Sequence, residues 1–279
     1  MKQEVKASTS LEEKLGALKD ILSALGGVLV AYSGGTDSTL LLKVAHDTLG
    51  DRAVAVTAVS ASMPREEAKE AIRLAKEIGA QHLILESGEL DDPDFRANTP
   101  DRCYYCKYLR FQSLLEVARE RGLQYVIDGC NLGDLGDHRP GMRASRELGV
   151  RSPLMEAGLD KAEIRELSQH LGLPTWDKPA EACLASRVPY GTPITRENLQ
   201  QIEDAERFVR SLGPSQVRVR VHGEVARIEV APESLPLLLE HRSAIASELH
   251  RLGFSYVSAD LEGYRTGSMN EVLEPDSHG

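Results

Sequence analysis

The sequence predicts an α/β protein, with a parallel sheet covered by helices over most of its length and a smaller α+β unit at its C-terminal end. Three observations carry that expectation. The apolar run Val28-Leu29-Val30-Ala31-Tyr32 passes through Ser33-Gly34-Gly35-Thr36-Asp37-Ser38 into a helical-period stretch from Leu40, which reads as strand, glycine-rich turn, helix. Short Val/Ala/Ile runs then alternate with amphipathic stretches as far as Pro174, the pattern of a parallel sheet buried on both faces. After the loop Val188-Pro189-Tyr190-Gly191-Thr192-Pro193 the order changes to helix, strand, strand, helix, strand, so two domains are expected, 1–187 and 188–279.

Taken in order, Ser10 and Glu13 form a capping box for a first helix whose Leu11, Leu15, Leu18, Leu22 and Leu25 share one face. A strand at 28–32 and a helix from Ser38 to Leu49 follow, then a strand Ala53–Val59, a helix Arg65–Ile78 stopped by Gly79, and a strand His82–Leu85. A helix Lys107–Arg119 leads to the strand Tyr125–Ile127. Another helix starts at the Asp160/Glu163 capping box and ends at Gly172-Leu173-Pro174. The second domain reads as helix 196–212, strands Val217–Val221 and Ala226–Val230, helix 234–251 and strand Tyr256–Leu261. Ligands of such parallel sheets sit at the strand C-termini, the edge on which Gly34, Ser60 and Gly129 fall.

Composition narrows the function. The chain of 279 residues is 41% hydrophobic and carries a net charge of −10, which argues against a broad nucleic-acid surface. The first residues contain no apolar signal segment, and no stretch approaches the ~20 apolar residues of a membrane span. A soluble, cytoplasmic protein is expected, with no membrane partner and with self-association into a homo-oligomer. Four cysteines in a chain this long do not make a secreted disulfide framework, so each is a thiol, a metal ligand or core filler.

The turn at 33–38 points backbone N–H groups and a positive helix end at one spot, which suits a polyphosphate such as that of ATP. It lacks the Gly-Lys-Ser/Thr ending of a loop that holds a γ-phosphate for hydrolysis. Gly34 and Gly35 allow close backbone approach, Ser33 and Ser38 add hydroxyl donors, and Asp37 is a candidate Mg2+ ligand. A plain strand-to-helix turn explains Gly34 and Ser33 but not the whole run. Cys103 and Cys106 have the C-x₂-C spacing that lets two thiolates chelate one metal, with Arg102 and Lys107 adding positive charge that favours the thiolate. Two ligands are not enough for a metal. Cys183, near Arg187, is a third ligand or a nucleophile, while Cys130 reads as structural. Arg218, Arg220 and His222 alternate with valines, so they share one strand face, either a guanidinium site or a solvated surface. Asp134 and Asp137, with His138 and Arg139, either assist magnesium or cap a loop.

Ser33–Ser38 in the order Ser-Gly-Gly-x-Asp-Ser resembles the PP-loop of ATP pyrophosphatases. Together with Asn98-Thr99-Pro100-Asp101-Arg102-Cys103-Tyr104-Tyr105-Cys106-Lys107, Trp176-Asp177-Lys178-Pro179-Ala180-Glu181-Ala182-Cys183-Leu184-Ala185-Ser186-Arg187 and Gly263-Tyr264-Arg265-Thr266-Gly267-Ser268-Met269-Asn270, it makes the chain similar to the LarE family of ATP-dependent sulfur transferases from residue 10 to 272. The resemblance implies a parallel-sheet PP-loop ATP pyrophosphatase domain, adenine nucleotide α-hydrolase-like, that cleaves ATP between the α and β phosphates. It implies adenylylation of the carboxylates of pyridinium-3,5-biscarboxylic acid mononucleotide, then conversion to thiocarboxylates for the nickel-pincer nucleotide of lactate racemase. Ser186, Arg187, Arg218, Arg220 and Arg265 are then substrate-binding, and Cys183, Asp37 and Arg187 catalytic. Two sulfur sources follow from the family. Cys183 is consumed and left as dehydroalanine, or Cys103, Cys106 and Cys183 hold a [4Fe–4S] cluster whose remaining iron binds hydrosulfide supplied by a sulfide or persulfide donor. All three cysteines are present, which favours the cluster, with C-x₂-C as a zinc or redox pair among the alternatives. A tRNA thiolase, a PP-loop amide-forming ligase and a non-catalytic adenine-nucleotide sensor are the competing functions.

Overall fold

In the computed structural model, whose described residues are 10–136, 140–179 and 182–265, the capping box starts α1 (Leu11–Leu25) as the sequence predicts. Glu13 N donates to Ser10 Oγ and Ser10 N to the Glu13 carboxylate, while Gly26 at φ 71° ends the helix. There follow β1 (Val28–Ala31), α2 (Thr36–Leu49), β2 (Ala53–Val59), α3 (Arg65–Ile78), β3 (Gln81–Glu86), α4 (Pro93–Arg96), α5 (Arg102–Glu120), β4 (Tyr125–Ile127), α6 (Pro140–Glu147), α7 (Pro153–Glu156) and α8 (Lys161–His170). The remaining elements are α9 (Arg196–Ser211), β5 (Val217–His222), β6 (Val225–Val230), α10 (Leu235–Glu240), α11 (Arg242–Arg251) and β7 (Tyr256–Ala259). They form two compact units, Met1–Glu89 with Cys103–Glu181, and Leu90–Arg102 with Ala182–Gly279.

The first unit is built on an all-parallel sheet in the order β3-β2-β1-β4. Alternate strand residues point to opposite faces. Val28, Val30, Ala53, Ala55 and Ile127 join Leu18, Leu41, Leu74, Leu154 and Ile164 of α1, α2, α3, α7 and α8 in one apolar layer. Leu29, Val56 and Val126 face Phe111, Leu114 and Ala118 of α5 in the other. Both faces are therefore dry, which is why these strands read as nearly continuous apolar runs. Because β1 lies between β2 and β4, its C-terminal turn is flanked by the ends of both.

Most boundaries differ from the sequence reading by a residue or two, and three differ in ways that bear on the site or the fold. Helix α2 begins at Thr36, because extended Gly35 serves as its N-cap, so Asp37 lies in its first turn. Helix α5 begins at Arg102 and takes Cys103 and Cys106 into its first turn. The single helix expected at 234–251 is two, α10 and α11, parted at His241. The short α6, preceded by residues outside the described set, has no counterpart among the expected elements.

The second unit carries a three-stranded sheet, β5-β6-β7, antiparallel between β5 and β6 and parallel between β6 and β7. Helix α9 packs on β5, and its Thr195/Asn198 capping box sets its start. Among the described residues no helix is long and apolar enough to cross a membrane.

Candidate active site

Beyond β1 the chain turns through Ser33–Gly35 into α2. Gly34 has φ 73°, and a Cβ there would lie 3.0 Å from Cα and Cβ of Ala71, so both backbone angle and space require glycine. Gly129, just past β4, passes the start of α2 so closely that a Cβ would lie 3.1 Å from Ser38 N. The Ser33 and Ser38 hydroxyls are 3.1 Å apart, and Ser33 N donates to Ser38 Oγ at 3.3 Å. Thr36 Oγ1 donates to Thr175 O at 2.8 Å and Lys178 Nζ to Gly34 O at 3.3 Å, which hold the 175–178 stretch against the turn. Lys161 Nζ binds both Asp37 oxygens, at 2.8 and 2.7 Å. A helix N-terminus, two hydroxyls, two lysines and one carboxylate thus meet at the sheet edge, a donor set suited to a triphosphate with a divalent cation. The two lysines escape sequence reasoning. Lys161 shows only as the residue after a capping Asp160, and Lys178 stands 144 positions from the turn it touches.

Ser60 follows β2 at the same edge, where its hydroxyl is 3.0 Å from Ser62 Oγ. Arg110 NH2 reaches Ser60 and Ser62 at 3.1 and 3.2 Å and Glu89 Oε1 at 2.6 Å. Burial works to raise the carboxyl of Glu89, but the Arg110 guanidinium and nearby Ser60 and Ser87 hydroxyls outweigh it and hold the group below the usual carboxylate range.

Past β4, Asp128 accepts from Cys130 N and Sγ, Ser145 Oγ and Ser152 Oγ. Burial and then the Asp128 charge push the Cys130 thiol up to about 12, so it serves as a protonated donor at neutral pH, in keeping with a structural role. Asp134 accepts from Asn131 N at 2.9 Å and closes a turn, whereas Asp137, His138 and Arg139 lie outside the described residues.

Cys103 and Cys106, three apart in the first turn of α5, share a helix face, and none of the four cysteines is in a disulfide. The cations expected to favour their thiolates are aimed elsewhere. Lys107 Nζ is 3.8 Å from Asp128 Oδ2 and from Cys130 Sγ, and Arg102 NH1 donates to Asn98 Oδ1 at 2.5 Å and to Ala185 O at 2.9 Å. Helix α6 buttresses this turn: a Cβ on Gly141 would lie 2.7 Å from Lys107 Cδ and 3.4 Å from Cys103 O. Among the described residues no group of three or more His, Cys, Asp or Glu is arranged to hold a metal ion.

Cys183 introduces a short turn, Leu184–Arg187, in the second unit. Ser186 N and Oγ both donate to Cys183 O, at 3.0 and 2.8 Å. Arg187, 1% exposed, donates from Nε and NH2 to the Glu206 carboxylate at 2.8 and 3.1 Å. Its NH1 donates to Ala182 O at 2.6 Å and to Cys183 O at 3.0 Å. Glu206 also accepts from Val219 N, so one buried pair ties the Cys183 turn to α9 and β5. Arg218 and Arg220 are 3% and 5% exposed, so the solvated-face alternative fails for the two arginines, while His222 at the strand end is exposed. Arg220 Nε pairs with Glu229 at 2.5 Å and its NH1 donates to Ser186 O at 3.0 Å, so the arginine face of β5 lies beneath the cysteine turn. Arg218 stacks over the Tyr264 ring, with 5.4 Å to the centroid. Arg265 pairs with Glu262 at 2.7 Å; Thr266–Asn270, the rest of that motif, lie outside the described residues, as do Ala180 and Glu181.

No family model matches the chain. It is 47% identical over 265 residues to an uncharacterized protein of Synechocystis sp., covering 94% of this chain and 99% of that one. Over 265 residues it is 42% identical to the pyridinium-3,5-bisthiocarboxylic acid mononucleotide synthase of Lactiplantibacillus plantarum, covering 95% of this chain and 96% of the synthase. A more distant likeness, 28% over 216 residues, 69% of this chain and 40% of the relative, is to a glutamine-hydrolyzing GMP synthase of Aeropyrum pernix. The full-length likeness to the synthase extends well beyond the glycine-rich turn and its parallel sheet, and by it the chain belongs to the LarE family of the PP-loop ATP pyrophosphatase superfamily.

Proposed function

We propose that this protein is an ATP-dependent sulfur transferase that adenylylates the carboxylates of pyridinium-3,5-biscarboxylic acid mononucleotide and converts them to thiocarboxylates, the form needed for the nickel-pincer nucleotide of lactate racemase. The observation that carries this reading is the likeness, over 95% of the chain, to a synthase of the bis-thiocarboxylate. In the first step the N–H groups at the start of α2 and the Ser33 and Ser38 hydroxyls take the phosphates of ATP, with Lys161 and Lys178 turning from Asp37 and Gly34 to phosphate oxygens. Asp37 fits Mg2+, which usually takes one or two carboxylates and completes its shell with phosphate oxygens and water; when bound, it offsets charge on the leaving pyrophosphate. A substrate carboxylate oxygen attacks the α-phosphorus, pyrophosphate leaves, and an acyl-adenylate results.

In the second step Arg218, Arg220 and Arg265 hold the anionic substrate, while Ser186 and Arg187 keep the Cys183 turn in place. The Cys183 thiolate attacks the acyl carbon, the C–O bond to AMP breaks, and a thioester forms. Removal of the Cys183 Cα proton then breaks its Cβ–S bond, which leaves dehydroalanine and releases the thiocarboxylate. A [4Fe–4S] cluster on Cys103, Cys106 and Cys183 would make the sulfur renewable. The cluster would need all three thiols, whereas the step written above uses Cys183 alone.

The test is a reaction of the full chain with ATP, magnesium and the mononucleotide, followed by mass spectrometry of the protein. Consumption of Cys183 is expected to remove the elements of H₂S, about 34 Da, at that residue. Cys183→Ala should still release pyrophosphate but form no thiocarboxylate. An intact Cys183 after many turnovers, with iron and turnover both lost in Cys103→Ala, would instead establish the cluster route. No pyrophosphate release with this substrate would end the proposal.

A further inference from the structure

The segment between β3 and the C-x₂-C pair has no part in the chemistry above, yet it is tied closely to the Cys183 turn within the second unit. Asn98, fully buried, is the one non-glycine residue with positive φ among the described residues, at 54°. Asparagine tolerates this left-handed conformation better than most residues, and here it aims both backbone and side chain at one loop. Its Nδ2 donates to Val188 O, Pro189 O and Thr192 O at 3.2, 2.8 and 2.9 Å, and its own carbonyl accepts from Gly191 N at 3.0 Å. Its Oδ1 accepts from Arg102 NH1, which also donates to Ala185 O, two residues beyond Cys183. Arg102 is 5% exposed, and its guanidinium lies 5.4 Å from the Tyr190 ring centroid. Among the described residues it meets no carboxylate. A buried guanidinium held, among the described residues, by neutral oxygens and an aromatic face is costly to keep, so its use here is to fix those oxygens in place.

The carbonyls of the turn show what it fixes. Those of Ala182 and Cys183 accept from Arg187, that of Ser186 from Arg220, and that of Ala185 from Arg102. Arg187 and Arg220 have buried carboxylates to orient them, Glu206 and Glu229; among the described residues Arg102 is oriented by the carboxamide of Asn98. We propose that Asn98 and Arg102 form a brace that positions the Cys183 thiol for sulfur transfer and takes no part in adenylylation. They are positioning residues, acting through the carbonyls of 185–192. The inference rests on the reading that Cys183 delivers the sulfur.

The experiment compares Arg102→Met, Arg102→Lys and Asn98→Gly with the unaltered full chain, the last keeping the left-handed backbone while deleting the carboxamide. Pyrophosphate release and thiocarboxylate formation are measured separately with ATP and the mononucleotide, alongside thermal melting and the rate of Cys183 alkylation by iodoacetamide without substrate. Pyrophosphate release is expected to stay within about two-fold. Thiocarboxylate formation should fall on the order of 100-fold in Arg102→Met and Asn98→Gly, the scale of loss that a misplacement of about 1 Å causes. Arg102→Lys, with one donor group to offer Ala185 O, should recover part of it, and the alkylation rate of Cys183 should shift in the same order. Should Arg102→Met fail to fold, Asn98→Gly and Arg102→Lys carry the comparison. Equal loss of both steps, or transfer unchanged in every folded variant, overturns the brace. Thiocarboxylate formation by Cys183→Ala would instead overturn the assignment of the thiol itself.

Discussion

Glu89 has no solvent exposure, and its charge is balanced from one side by Arg110 at 2.6 Å. Because its folded pKa lies below the unfolded value, it stabilises the fold fully above the ordinary carboxylate range, and that contribution disappears as pH falls through the folded pKa. Glu89→Gln should therefore cost on the order of 3 kcal/mol near pH 7. The melting curves of variant and parent should converge as pH drops below the unfolded carboxylate value of about 4.3. A gap that keeps its size under acid would mean that the ionised carboxylate is not what holds Ser60, Ser62 and Arg110 together. None of this is visible along the chain. Gly34 and Asp37 stand out along the chain because they belong to one contiguous run, Ser33–Ser38, whereas Glu89 and Arg110 meet only after the parallel sheet has set the order of its strands.

Period-two alternation in β5 sorts valines from arginines correctly, but it cannot say what covers either face. The cover on the arginine face is a turn whose anchoring pair, Arg187 and Glu206, is buried at both ends. Glu206→Met alone should cost about 3–5 kcal/mol in urea denaturation, because it removes the carboxylate that balances a buried guanidinium. The double change Arg187→Met with Glu206→Met should regain much of that stability. It should not regain sulfur transfer, since the Arg187 donors to Ala182 O and Cys183 O are gone. Recovery of both would reduce Arg187 to packing. The start of α5 was equally hidden, since Thr99-Pro100-Asp101 reads as loop and only the contact of Arg102 N with Thr99 O shows the helix beginning there. Capping boxes at Ser10 and Asp160 did mark their helices, being signals complete within four residues.

At the scale of the whole molecule, alternation of strands and helices was enough to predict a parallel sheet, and the switch in pattern after the Pro/Gly loop was enough to predict a second α+β unit. That Leu90–Arg102 leaves the first unit for the second was not legible, because its partners lie far along the chain. The proposed placement of nucleotide at the Ser33–Ser38 turn has a direct consequence for ligand binding. ATP with magnesium alone should slow amide hydrogen exchange at 31–38, around Gly129 and over 175–178, and should leave 217–230 as in the free protein. Equal protection of 217–230 by ATP alone would contradict the assignment of nucleotide to the first unit.

The long return of Leu90–Arg102 also bears on how the protein is made. Asn98 and Val188 are 90 residues apart, so the carbonyls that Asn98 must reach are synthesised only after the rest of the parallel sheet. At typical ribosomal speeds of about 5–20 residues per second, Asn98 and the apolar Phe95 wait roughly 5–18 s before their partners exist. During that interval the nascent chain carries an unclosed loop in the middle of an otherwise foldable sheet domain, a stretch open to chaperones and proteases. Closure of this high-contact-order pairing, and with it the completion of the cysteine turn, must wait for that synthesis.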